Sequence, residues 1–181
     1  MKLIAAVFAL VAFTAVSAQD FRASAGLEIA LPMGDFADAY SLGYGLSVGG
    51  ELPVGDNLGI TGTVGYILLS PTSDVSDFIK NAAMIPAQVG AKYYFSEQQL
   101  GAYAQAQVGI HAVSQTTEDI EVGGITIEGD SDSESNLSWA IGAGYFINEN
   151  IDIGVRFNSI TTDVEEADPS SYIGLRAAFN F

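Results

Sequence analysis

Leu100-Gly101-Ala102-Tyr103-Ala104-Gln105-Ala106-Gln107-Val108-Gly109-Ile110-His111-Ala112 decides the fold. Every second residue from Leu100 to Ala112 is apolar, and the residues between are Gly, Tyr, Gln and His. A period of two belongs to a β-strand, whose side chains point alternately to opposite faces.

Seven further segments repeat the pattern. Their apolar faces carry Phe21, Ala23, Ala25, Leu27, Ile29 and Leu31; Leu42, Tyr44, Leu46, Val48, Gly50 and Leu52; and Leu58, Ile60, Gly62, Val64, Tyr66 and Leu68. Next come Ile85, Ala87, Val89, Ala91, Tyr93 and Phe95, and, after the quoted segment, Leu137, Trp139, Ile141, Ala143, Tyr145 and Ile147. The last two faces carry Ile151, Ile153, Val155, Phe157 and Ser159, then Ser171, Ile173, Leu175, Ala177, Phe179 and Phe181. None of the eight faces bears a charge. One apolar face is ordinary in a sheet protein. Eight uniformly apolar faces call for an apolar solvent, met most simply by a bilayer around a closed barrel. Each segment is near the ~9–11 residues that a tilted transmembrane strand requires.

The opposite faces hold Arg22, Glu28, Glu51, Gln88, Lys92, Gln105, Gln107, His111, Asp152, Arg156 and Arg176, with thirteen of the twenty glycines. This polar set fits the inside of a barrel, and eight strands close to a lumen that side chains can fill. A soluble sheet would bury the apolar face and wet the other, for which glycine is an odd choice. Four cations (Arg22, Lys92, Arg156, Arg176) face three anions (Glu28, Glu51, Asp152), so pairing or trapped water is expected inside. Arg22 and Glu51, on adjacent strands, are the expected couple. Pro86 cannot donate to a ladder, so its strand is expected to begin there or to bulge.

Links 53–57, 96–99 and 148–150 are short, whereas 32–41, 70–83, 113–136 and 160–170 are long. Short turns on one side and long loops on the other match an outer-membrane barrel with both mature termini on the periplasmic side. Fifteen of the 22 carboxylates lie in the long loops. Ile120-Glu121-Val122-Gly123-Gly124-Ile125-Thr126-Ile127 reads as a hairpin on a Gly-Gly turn, raising a small sheet whose edge can accept a partner strand.

The N-terminus reads as a targeting segment. Met1-Lys2 is a positive start, an apolar run follows, and Val16-Ser17-Ala18 places small residues at a cleavage site before Gln19. The run is shorter than the ~20 residues of a spanning helix. The expected organisation is therefore a secretory signal peptide at 1–18 and one barrel domain at 19–181. The mature part carries 5 Lys+Arg against 22 Asp+Glu, a net charge of −17, which repels nucleic acid. There is no cysteine, so no disulfide staples the fold.

The chain resembles the outer-membrane β-barrel domain family, the small eight-stranded barrels of the OmpA transmembrane-domain and OmpX type. The resemblance rests on Leu31-Pro32-Met33-Gly34-Asp35-Phe36, Gly43-Tyr44-Gly45, the run from Tyr103 to Gly109, and the ending Ala177-Ala178-Phe179-Asn180-Phe181. It implies the outer membrane of a Gram-negative-type bacterium, and a terminal Phe similar to the signal read by the barrel assembly machinery. No OmpA-like peptidoglycan-binding domain is expected after the barrel. The fold hosts many functions and implies no single one.

Chemistry is sparse. His111 has Ser114 three residues on, but barrel-embedded lipid hydrolases place such a pair on the lipid side with other spacing; a hydrogen-bonded lumen histidine is expected instead. Asp130-Ser131-Asp132-Ser133-Glu134 starts like a calcium loop but lacks Gly at the sixth position and Glu at the twelfth, where Ile141 stands. No catalytic, cofactor-binding or metal-ligating set is expected. The reading is a closed, eight-stranded, antiparallel up-and-down transmembrane β-barrel, monomeric and non-enzymatic. Its expected role is envelope-structural or in surface interaction, with lipid, the assembly machinery and a surface protein as partners. A narrow porin-like channel for small solutes or ions is the alternative.

Overall fold

The computed structural model describes residues 21–73, 79–117, 120–122, 125–127, 131–162 and 169–181. The predicted signal segment, the Gly123-Gly124 turn and Asp130 lie outside them. Ten strands and one short helix are described: β1 (Arg22–Met33), α1 (Asp35–Ala39), β2 (Tyr40–Pro53), β3 (Leu58–Pro71), β4 (Ile79–Tyr94), β5 (Gly101–Thr117), β6 (Ile120–Val122), β7 (Ile125–Ile127), β8 (Ser131–Phe146), β9 (Ile151–Ile160) and β10 (Ser170–Asn180).

Eight of these strands close a barrel in the order β1-β10-β9-β8-β5-β4-β3-β2, every pair antiparallel. Closure is made by β1 on β10, where Ser24 faces Asn180, Glu28 faces Arg176 and Met33 faces Ser171. The last residue joins it, since Phe181 N donates to the Ala23 carbonyl at 2.9 Å. Closing the sheet pairs both edges, which a strand in hydrocarbon requires.

Burial runs opposite to that of a soluble protein. Leu27 is 64% exposed and Val108 61%, whereas Glu28 is 3% exposed and Asp152 0%. Each large apolar side chain left in water forgoes roughly 1.5–3 kcal/mol, so a wall of them is stable only against lipid. Phe21, Tyr93, Phe95, Tyr145, Phe179 and Phe181 ring the short-turn end of that wall. Tyr44, Tyr66, Trp139 and Phe157 lie further up it. Tyr66 stands eight residues above Leu58 on β3, which for a tilted strand is roughly 20 Å, close to the ~25 Å apolar band of such barrels.

Pro86 neither starts its strand nor sits at a bulge. β4 begins seven residues earlier, at Ile79. The β3–β4 ladder skips two pairs between Val64↔Ala87 and Ile67↔Met84, then resumes in the same register, while Pro86 stays paired with His111 of β5. Gly65 makes this possible: a Cβ there would stand 3.0 Å from Pro86 Cγ. The wall absorbs the proline by giving up hydrogen bonds locally.

The strands outrun the apolar pattern. β5 and β8 stay paired from Gly101↔Phe146 to Thr116↔Ser131, beyond the last lipid-facing residues. β6 and β7 then form a separate two-stranded sheet, with Ile120 opposite Ile127 and Val122 opposite Ile125. The two strands of the predicted hairpin are thus paired in register, while its Gly-Gly turn lies outside the described residues. α1 occupies the first long link, where no helix was expected.

Candidate functional site

The lumen gathers the charges that alternation sends inward. Six of them form one chain across the barrel. Glu51 Oε2 on β2 lies 3.2 Å from Lys92 Nζ on β4. Lys92 Nζ and Arg176 Nη1 each lie 3.7 Å from Asp152 Oδ2 on β9. Arg176 Nε is 3.3 Å from Glu28 Oε1 on β1. Arg156 Nη2 donates to both Glu28 oxygens at 2.9 Å. Three cations and three anions leave this chain electrically neutral, which limits the desolvation penalty of burying it.

Neutral groups satisfy much of what remains. Tyr94 donates its hydroxyl to Glu51 Oε1 at 2.6 Å, and Tyr103 donates to Asp152 Oδ1 at 3.0 Å. Arg176 donates to the Ser47 and Ser24 hydroxyls, each at 3.0 Å, and Arg156 to Gln107 Oε1 at 3.2 Å. Lys92 Nζ stands 4.5 Å from the centre of the Tyr103 ring and 5.1 Å from that of Phe146, within cation–π reach. Gly144 leaves room for Tyr103, whose hydroxyl a Cβ there would strike.

Both ends of this network are packed. Towards the long loops, Ala30, Tyr40, Ile67, Leu69, Met84, Ile160 and Tyr172 form an apolar layer, with Phe36 of α1 against it. Towards the short turns, Tyr94, Tyr103 and Phe146 cluster with Leu100. The cavity beside the ion pairs has a volume of about 20 Å³ and is lined by Arg22, Glu51, Lys92, Arg156 and Arg176 among others. That is space for about one water.

The structure does not join the expected Arg22–Glu51 couple. Arg22 and Glu51 are direct register partners, but Glu51 is taken by Lys92 and Tyr94, and Arg22 makes no ion pair among the described residues. In so narrow a barrel, side chains from strands that are not neighbours meet across the lumen, so strand adjacency does not choose the partner. His111 and Ser114 point to opposite faces of β5, as odd spacing demands. His111 is fully buried and its Nε2 is 2.9 Å from the Tyr172 hydroxyl, the hydrogen-bonded lumen histidine that was expected. His111 Nδ1 and Asn158 Oδ1 have no hydrogen-bond partner among the described residues.

An apolar outside, a charged inside and full closure define an integral membrane β-barrel. The chain belongs to the family described as outer membrane protein beta-barrel domain, whose model matches residues 3–181, and it is located in the bacterial outer membrane. Solved structures share the fold at low identity. The N-terminal β-barrel domain of Pseudomonas aeruginosa OprF is 14% identical with a TM-score of 0.59, covering 88% of this chain and 97% of that one. Ail, the attachment invasion locus protein of Yersinia pestis, is 14% identical with a TM-score of 0.62, covering 89% and 97%. Neisserial surface protein A is 15% identical with a TM-score of 0.56, covering 88% and 95%. No curated protein matches the chain.

Proposed function

We propose that the protein is a monomeric, non-enzymatic barrel with a plugged lumen, whose work is done by its loops at the cell surface. The observation that carries this reading is the neutral six-charge chain with only about 20 Å³ of space beside it. A hydrated ion needs a continuous wet path, and here packed layers lie above and below the network. Bilayer recording on the refolded protein tests the reading: no conductance steps are expected, and regular steps that respond to substitutions in the lumen would refute it.

The loops set the chemistry of a surface partner. They hold fifteen carboxylates and a single lysine, Lys80. Ail has been solved in complex with the heparin analogue sucrose octasulfate; a polyanion of that kind would be repelled here, and a basic protein surface attracted. The two-stranded β6–β7 sheet adds a backbone edge to which such a partner can add a strand.

Assembly completes the proposal. Cleavage after Ala18 would free the mature chain, and Phe181, 74% exposed at the end of the closing ladder, would be read by the assembly machinery. The runner-up function is a narrow pore. Arg22, a lumen cation without an ion pair beside an open mouth, is the observation that favours it.

A further inference from the structure

Among the described residues, the β3–β4 ladder is the only one of the barrel that is interrupted between its ends. The others run unbroken, apart from register shifts near the long loops between Tyr40 and Leu42 and between Ile79 and Asn81. Continuing the register, the two pairs that β3 and β4 skip would be Gly65↔Pro86 and Tyr66↔Ile85. One absent donor accounts for both. Pro86 has no N–H. Its pairing with His111 on β5 is intact, so its nitrogen faces β3, where the register sets the Gly65 carbonyl. That acceptor loses its donor within the apolar wall, where lipid offers no substitute.

The surroundings make this joint easy to part. The lipid-facing residues beside it are Val64, Tyr66, Leu68, Ile85 and Ala87. On the lumen side, Ile67, Leu69, Ala82 and Met84 belong to the apolar layer. β3 carries no charged residue, and on β4 the nearest charge towards the short turns is Lys92. Parting the strands beside Gly65 and Pro86 therefore brings no lumen charge into lipid, as parting them beside Glu28, Asp152 or Arg156 would. Nearer the short turns, Lys92 and Tyr94 of β4 both hold Glu51 of β2, at 3.2 and 2.6 Å, across the intervening β3. Each strand also keeps its other neighbour, since Ser47 pairs with Gly65 and Ile85 with Ala112.

We propose that the closed wall opens at this joint. The long-loop halves of β3 and β4 part transiently about Gly65 and Pro86, and the apolar layer of the lumen then meets lipid hydrocarbon. β2–β3 and β4–β5 move as intact pairs, and the clasp on Glu51 keeps the short-turn half shut.

Amide hydrogen exchange on the refolded protein in lipid nanodiscs tests this. Backbone N–H groups alternate in direction along a strand, so Gly65 and Ile67 donate towards β4 while Val64 and Tyr66 donate towards β2. The four lie at nearly one depth and share the same access to water. After correction for intrinsic rates, Gly65 and Ile67 are expected to exchange at least about tenfold faster than Val64 and Tyr66, as a local opening of one joint requires. Pro86→Ala returns the donor and should slow Gly65 and Ile67 by about three- to tenfold, the effect of one net hydrogen bond. Gly65→Ala, whose Cβ would stand 3.0 Å from Pro86 Cγ, should speed them. The proposal is overturned if all four amides are equally protected, if all four exchange equally fast, or if folded Pro86→Ala leaves Gly65 and Ile67 unchanged. The comparison of the four amides uses the unmodified protein, so it decides even if a variant fails to fold.

Discussion

Glu51→Ala is the substitution that most directly asks what the lumen is. Glu51 accepts from Lys92 at 3.2 Å and from Tyr94 at 2.6 Å, and the carboxylate and the ammonium are 6% and 10% exposed. Removing one member of a buried ion pair costs about 3–5 kcal/mol. Lys92 keeps Asp152 at 3.7 Å and its place over the Tyr103 ring, which pulls the figure towards the lower end. Tyr94 loses its acceptor, which pulls it back up by ~1 kcal/mol or more. A loss of about 3–4 kcal/mol is therefore expected, read from urea unfolding of the barrel in detergent by the gel shift between folded and unfolded forms. Arg22→Ala is the internal control. Arg22 faces Glu51 across the β1–β2 ladder yet makes no ion pair among the described residues, so its removal should cost under about 1 kcal/mol. Glu51→Gln, which can still accept from Tyr94, should fall between the two. If Glu51→Ala unfolds like the parent and alters cation selectivity in a bilayer, Lys92 is solvated in an open channel and the plugged barrel is wrong.

Three further expectations follow from the geometry. Val89→Arg or Ile141→Arg places a charge on the lipid face and should cost roughly 2–4 kcal/mol if the site is near the bilayer midplane; unchanged refolding and stability in lipid would mean that these positions do not face hydrocarbon. Deleting Phe181 should reduce folded barrel in cells more than refolding yield in vitro; equal losses would reduce its role to its contacts with Phe179 and Ala23. Gly144→Val should displace Tyr103 from Asp152 and cost stability, whereas a neutral outcome would show that the Tyr103 contact is dispensable.

The wall of the barrel was legible because lipid and lumen impose opposite demands on alternate residues, and the chain obeys both for eight strands. What alternation could not show was structure governed by something other than that contrast. Residues 131–136 carry no apolar residue, yet they are strand, because pairing with β5 continues above the bilayer, where either face can be wet. α1 spans only five residues, too few for a helical period to register. The strand of Pro86 was expected to begin there or to bulge, and what the sequence did not show was Gly65 opposite it on β3, a coincidence visible only once the register is known. Inside, alternation named every charged residue of the network but not its pairing. Lys92 reaches Glu51 from two strands away, because partners in a narrow lumen are chosen by height and reach rather than by adjacency. Gln99, whose φ of 53° lies in the left-handed region, carried no sequence signal, since a backbone angle that glycine or asparagine would favour leaves no mark in a glutamine.

Charge in this protein is divided by solvent, and the division argues for where it acts. The lipid face tolerates none. The lumen tolerates charge only where it nearly cancels, and among the described residues its surplus is Arg22, at the short-turn mouth. The loops, turns and ends of residues 19–181 therefore carry a net 18 negative charges, and fifteen of their carboxylates lie in the four long links against one lysine. Solubility of so small a surface needs far less. On the function proposed above, that concentration of one sign in the long links would steer a basic partner. The barrel beneath needs only to be rigid and closed, which is what the ion-pair network and the two packed layers provide.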